Sequence, residues 1–279
     1  MTHRFVIQHP SLDPATVAEF HALLGRPPDR GDDASAIWER VAVDMSRAGE
    51  LARRRGVDAN LVPMSRRLAD FRLIAFDMDS TLITIECIDE IADFAGRKAD
   101  VAAITEASMR GEIPDFAQSL RQRVALLAGL DEKVLERVYR ERLRLSPGAD
   151  RLLAAVRTAG LKILLVSGGF TYFTDRLSSR LSIDYTRANA LEIIDGRLTG
   201  QVIGPIVDAD LKRETVLETC AAIGCSPAEA IVVGDGANDL KMMAVAGVSV
   251  AYRAKPVVRA STTYGIDHNG LDAILGLLG

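Results

Sequence analysis

The sequence predicts an α/β protein: a doubly wound parallel sheet, with a helical insertion and a small N-terminal α/β segment. Three observations predict it. From residue 71 onward, short apolar runs alternate with longer helical patterns. Polar residues suited to chemistry stand at the ends of those runs, where sheets of this kind bind ligands. One interval, residues 86–145, carries helical patterns and no convincing strand, so it breaks the alternation.

The elements follow in order. Residues 1–68 read as an accessory domain without a chemical constellation. In it "RFVIQ" is a short strand, and "DPATVAEFHALLG" is a helix capped by Asp13 and stopped by Gly25. "RPPDRGDD" is a loop on its Pro, Gly and charge content, and "ASAIWERVAVDMSRAGELARRRG" is a second amphipathic helix. The catalytic core takes residues 69–85 and 146–279. Its strands are "LIAF" (73–76), "KILLVS" (162–167), "AIVVGD" (230–235) and "VSVAY" (248–252), continuous apolar runs of the kind buried on both faces of a parallel sheet. "GADRLLAAVRTAG" and "LKRETVLETCAAIG" are crossover helices. In "ALEIIDGRLTGQVI", Asp195-Gly196 is a hairpin signal and predicts a β-ribbon projecting from the sheet. Residues 86–145, with Leu120, Val124 and Leu127 on one helical face, form a cap inserted after the first core strand.

Composition narrows the function. Acidic side chains number 38 against 34 basic ones, for a formal charge of −4, which argues against nucleic-acid binding. No apolar run approaches the roughly 18 residues that span a bilayer. "MTHRFVIQHP" lacks the apolar region of a signal peptide. Three cysteines without metal or disulfide spacing complete the expectation of a cytoplasmic protein.

The chemistry concentrates in three stretches. "LIAFDMDSTLI" ends an apolar strand on Asp77 and Asp79, which strand periodicity puts on one side of the pleat. Carboxylates that close require a metal ion, a shared proton, or both; the plainer alternative is a turn after a strand. "GDGAND" adds Asp235, Asn238 and Asp239, and "VSGGF" adds the Ser167 hydroxyl and the backbone amides around Gly168, suited to phosphate oxygens. Lys212, near the start of a predicted helix, brings positive charge. Carboxylates for a hard cation beside donors for an anion describe a magnesium-dependent phosphoryl-transfer site.

"DMDST", "VSGG", a downstream lysine and "GDGANDLKMM" resemble, in order, the motifs of the haloacid-dehalogenase-like hydrolase superfamily, whose core is Rossmann-like. "DMDSTLITIECIDEIA" and "ITEASMRGEIPDFAQSLRQRVALL" resemble its phosphoserine phosphatase branch. The resemblance runs from about residue 71 to 279. It implies a phosphatase acting on O-phosphoserine through an aspartyl-phosphate, with Asp77 as nucleophile and Asp79 as general acid and base. It also implies Mg2+ on Asp77, the Asp79 carbonyl and Asp235; phosphoryl binding by Ser167, Gly168, Lys212 and Asn238; and support from Asp239. In the cap, Glu86 would meet the substrate ammonium and Arg123 its carboxylate, under an apolar lid of Met109 and Phe116. The spacing between these last two is one residue longer than in some relatives.

Two other readings stand beside this one. A phosphatase or phosphotransferase for another small phosphomonoester, such as phosphohomoserine, would keep the core and change the cap. A phosphoaspartate signalling receiver shares strand-end acids, magnesium and a lysine, but lacks the acid at position 79 and the insertion. The expected partner is a small molecule, with neither nucleic acid nor membrane, and a homodimer is left open.

Overall fold

The computed structural model describes residues 2–110, 112–113 and 115–279, Met109 without its side chain. The N-terminal segment runs β1 (His3–Gln8), α1 (Pro14–Leu24), β2 (Arg30–Gly31), β3 (Ser35–Val41), α2 (Met45–Arg55) and β4 (Asp58–Pro63). Next come β5 (Leu73–Phe76), α3 (Cys87–Phe94), α4 (Lys98–Met109), α5 (Phe116–Ala125), α6 (Lys133–Arg137) and α7 (Ala149–Thr158). They lead to β6 (Lys162–Phe170), α8 (Thr171–Leu181), β7 (Tyr185–Ile194), β8 (Arg197–Ile203) and α9 (Ala209–Ala222). The chain finishes with β9 (Ala230–Gly234), α10 (Leu240–Ala244), β10 (Val248–Tyr252), α11 (Pro256–Arg259), β11 (Tyr264–Ile266) and α12 (Ala273–Leu278). One sheet has the order β2-β3-β1-β4, and the other β11-β10-β9-β5-β6-β7-β8. The second is the α/β sheet the sequence predicts. Its β6–β7, β9–β10 and β10–β11 pairs are parallel, and β7–β8 is antiparallel. No helix among the described residues is long and apolar enough to cross a membrane.

The chain divides into two compact units. The first comprises residues 1–74, 147–162 and 225–279. Its N-terminal part is a βαββαβ arrangement of the ferredoxin-like kind. Asp13 caps α1 through the Thr16 N–H and Gly25 ends it in the left-handed region, both as predicted. The second predicted helix is overturned over its first half. Residues 35–41 form β3, antiparallel to β1, with Ala36, Trp38 and Val41 buried and a bulge at Arg40 (φ 53). Trp38 packs against Phe5 and Phe20 with ring centroids 6.0 and 6.4 Å away, and only from Asp44, which caps α2, does the helix begin. The "RPPDRGDD" stretch likewise contributes the two-residue β2 to the sheet edge.

This N-terminal sheet is tied to the end of the chain by buried polar contacts. Asn60 exchanges two 3.0 Å hydrogen bonds with the backbone of Gly265. The Asp58 carboxylate, 3% exposed, accepts from the backbone N–H of Asp267, His268 and Asn269 and from Asn269 Nδ2. Asp58→Ala would strand these donors. Given the cost of buried donors that lose a charged acceptor, it should lower the stability of this unit by about 3 kcal/mol. Urea denaturation measures this, and a loss under about 0.5 kcal/mol would contradict it.

The second unit comprises residues 75–146 and 163–224. Its insertion is helical, as the periodicity predicts, and Leu120, Val124 and Leu127 are all buried. The chain enters and leaves the insertion side by side: Ile83 bridges Leu145, and Thr84 N–H donates to the Arg144 carbonyl. Asp195 and Gly196 turn the β7–β8 hairpin with φ of 50° and 72°. The hairpin is docked against the insertion. Gly200 (φ 85) lies so close to Ala125 and Ala128 that a Cβ would meet them at 3.2 and 2.9 Å.

Candidate active site

Strand β5 is fully buried and stops at Phe76. The pleat argument for Asp77 and Asp79 therefore fails: both lie beyond the strand, Asp77 as the cap of a wide turn over residues 78–82 and Asp79 within it. That turn closes through Leu82 N–H to the Asp77 carbonyl (3.2 Å) and Ile83 N–H to the Met78 carbonyl (3.0 Å). Ser80 takes φ 55 within it. Asp77 is 6% exposed; its Oδ1 accepts the Met78 N–H (2.7 Å) and lies 2.9 Å from Lys212 Nζ. Lys212 is buried in the first turn of α9, whose start Asp208 caps through the Leu211 N–H. A buried lysine gains its charge-stabilising partner in Asp77, and Asp77 is held by a cation.

Asp79 accepts the Cys87 N–H at 3.3 Å. Desolvation, then the neighbouring Glu86, push its carboxyl up to about 8, against the pull of Cys87 and Lys212. A carboxyl in that range carries a proton at neutral pH and can donate it. Glu86 precedes α3 and accepts the Ser80 hydroxyl at 2.6 Å. Water reaches Glu86, yet the protein crowding around it raises its carboxyl, with the Ser80 bond and then Arg123 opposing. Arg123, on α5, is half-buried and donates weakly to the Ser119 carbonyl at 3.4 Å. Burial lowers its pKa, while Asp89, Glu86 and Asp79 favour its charge.

Ser167 is 1% exposed, and its hydroxyl accepts the Gly169 N–H at 2.8 Å. A Cβ on Gly169 would come within 2.7 Å of Met78 Cε and 2.8 Å of Asp79 Oδ2, so only glycine lets this turn reach Asp79. A Cβ on Gly168 would meet the Phe116 ring at 3.0 Å. The second unit thus brings Asp77, Asp79, Lys212, Ser167, Gly168, Glu86, Arg123 and Phe116 into one neighbourhood. The Met109 side chain lies outside the described residues.

In the first unit, Asp235, Asn238 and Asp239 follow β9 on a loop that Asp239 organises. Asp239 is fully buried, and its Oδ2 accepts the N–H of Asp235 (3.2 Å) and of Gly236 (3.0 Å). Asp77 in the second unit and Asp235 and Asp239 in the first make up an acidic set that could hold a metal ion. Its donors are all carboxylate oxygens, which fit a hard divalent cation such as Mg2+ better than a thiol- or imidazole-seeking one. Sequence reasoning missed Ser80, Cys87 and Asp89; only the i, i+3 spacing of Glu86 and Asp89 signals the last of these.

A buried aspartate paired with lysine, beside a second carboxyl able to hold a proton, suits nucleophilic and acid–base chemistry in one place. A family model for haloacid dehalogenase-like hydrolases matches residues 71–247, and the chain belongs to this family. It is 60% identical over 227 residues to a phosphoserine phosphatase of Polaromonas sp. (strain JS666), across 80% of this chain and 96% of the relative. Its fold matches a probable phosphoserine phosphatase from Vibrio cholerae, solved unliganded, with TM-score 0.85 and 37% identity over 99% of this chain and 86% of that one. A phospho-aspartyl intermediate analogue of phosphoserine phosphatase matches with TM-score 0.70 and 36% identity, over 75% of this chain and 99% of that one.

Proposed function

We propose that this hydrolase cleaves O-phosphoserine to serine and phosphate, the last step of serine biosynthesis, with Mg2+ as cofactor and in the cytoplasm. The observation that carries the reading is the meeting of two half-sites in one unit. Asp77, Lys212 and Ser167 suit a phosphoryl group, and Glu86 and Arg123 supply the anion and cation that an amino-acid head requires. The acid at position 79 and the helical insertion disfavour a signalling receiver. That all three cysteines are thiols supports a reducing compartment.

In the first half-reaction an Asp77 carboxylate oxygen attacks phosphorus, the bond from phosphorus to the serine oxygen breaks, and Asp79 gives that oxygen its proton. In the second, water attacks the aspartyl-phosphate, Asp79 takes the proton from the water, and Asp77 leaves as carboxylate. Lys212, Ser167, the amides around Gly168 and Asn238 hold the phosphoryl oxygens and stabilise their charge. Asp77, the Asp79 carbonyl and Asp235, with Asp239 in support, would hold Mg2+, which would supply Lewis-acid stabilisation of the same charge. The insertion acts as a cap (86–145) on a core of 69–85 and 146–279, with 1–68 as an accessory domain; Phe116 serves in its apolar lid.

Arg123→Ala tests the substrate. It should raise KM for phosphoserine about 10²-fold, because the substrate carboxylate loses its partner, while changing turnover of p-nitrophenyl phosphate less than about threefold. Equal losses on both substrates would remove the support for an amino-acid head. Comparable wild-type rates on phosphohomoserine would favour the other phosphomonoester.

A further inference from the structure

The β6–β7 ladder has a defect at the residues proposed to bind phosphate. Between the pairs Val166–Arg187 and Phe170–Asn189, β6 advances four residues while β7 advances two. Ser167, Gly168 and Gly169 bulge out of the ladder, so their backbone groups lose ladder partners on β7, and the Gly169 N–H turns to Ser167 Oγ instead. One side chain repairs this. Asn189, on β7 and 1% exposed, donates from Nδ2 to the Gly168 carbonyl at 2.7 Å. Its Oδ1 accepts the Val207 N–H at 2.9 Å. Val207 directly precedes Asp208, the cap of the helix that carries Lys212. Both bonds fix the same orientation of the amide, and the Val207 carbonyl lies 3.6 Å from where a Gly168 Cβ would stand.

We propose that Asn189 is a positioning residue for phosphoryl binding: its amide locks the Ser167–Gly169 bulge to the start of α9, so that the Ser167 and Gly168 donors and Lys212 converge on the same oxygens. It touches no substrate. Its geometry matters because an error of about 1 Å in placing such groups costs roughly 10²-fold in rate. An asparagine with both amide ends engaged has no slack: an apolar residue satisfies neither partner, and an aspartate keeps only the acceptor. The inference rests on the reading of Ser167, Gly168 and Lys212 as the phosphoryl site.

The test compares Asn189→Leu and Asn189→Asp with the wild type and with Leu198→Val, a buried β8 substitution whose backbone bonds to Gly129 and Leu130. The measurements are kcat/KM on phosphoserine and on p-nitrophenyl phosphate, inhibition by inorganic phosphate, and melting temperature. Both Asn189 variants should lose roughly 10- to 100-fold in kcat/KM on both substrates alike. Inhibition by phosphate should weaken about tenfold in parallel, with Asn189→Leu the worse, while Leu198→Val keeps wild-type phosphate inhibition at a lowered melting temperature. Folded Asn189 variants within twofold of wild type in kinetics and phosphate inhibition would overturn the assignment. So would losses matched by Leu198→Val, or failure of both Asn189 variants to fold, which would make the residue one of folding alone. A wild type that hydrolyses no phosphomonoester would instead overturn the phosphatase reading beneath it.

Discussion

Asp77→Asn is expected to reduce phosphate release by about 10⁴-fold or more, because an amide oxygen is a poor nucleophile and no covalent intermediate forms. Quenched reactions with labelled substrate should trap phosphate on the wild-type protein and none on the variant. The substitution also removes the negative end of a buried ion pair with Lys212, at 2.9 Å, so stability should fall with it. Asp77→Glu separates the two effects. It keeps the charge beside Lys212 but moves the attacking oxygen by one methylene, and it should be as inactive as Asp77→Asn while melting closer to wild type. Near-normal turnover in either variant would end the aspartyl-phosphate mechanism.

The parts of the fold that could be read from the sequence are those whose environment is uniform. The apolar residues of "LIAF", "KILLVS", "AIVVGD" and "VSVAY" are buried throughout, and a continuous apolar run at such a length admits few other readings. Strand β3 failed for the opposite reason. Trp38 and Val41, at i and i+3, can share a helix face, whereas Ala36 and Trp38, at i and i+2, share a strand face that the bulge at Arg40 extends to Val41; the choice is settled by pairing with β1 across a long sequence separation. Strand β7 was hidden in its first half by a mixture of exposed and half-buried positions, and β11 by its length of three residues.

The site divides in the same way. Asp77, Asp79, Asp235 and Ser167 stand at or near strand ends, the last two beside glycines, where a polar residue has little structural reason to be, and so they were visible. Asn189 was not: an asparagine within a strand suggests at most an exposed edge, and its two partners are 21 and 18 residues away in sequence. Its work appears only when the ladder defect opposite it is seen. Asp89 bears on the site through the field it exerts on Arg123 and Glu86, which is a property of packed helices and not of a motif.

Removal of divalent metal should abolish turnover to the same depth as loss of the nucleophile, and magnesium should restore it. In the proposed metal set Asp77 and Asp235 are both carboxylates, and like charges held together raise the cost of keeping both ionised. A small hard cation reverses that cost, so its binding should also stabilise the fold. At a magnesium concentration 100 times its dissociation constant the gain is about 2.7 kcal/mol, readable as a rise in melting temperature without any substrate. Asp235→Asn should weaken both the rescue of activity and the thermal shift. Asp239→Asn should weaken them as well, by loosening the loop whose Asp235 and Gly236 amides the Asp239 carboxylate holds. Calcium should bind and raise the melting temperature yet inhibit, because its larger and looser shell misplaces the attacking oxygen. Full turnover after exhaustive chelation, or a magnesium shift unchanged in Asp235→Asn, would remove the metal from the mechanism.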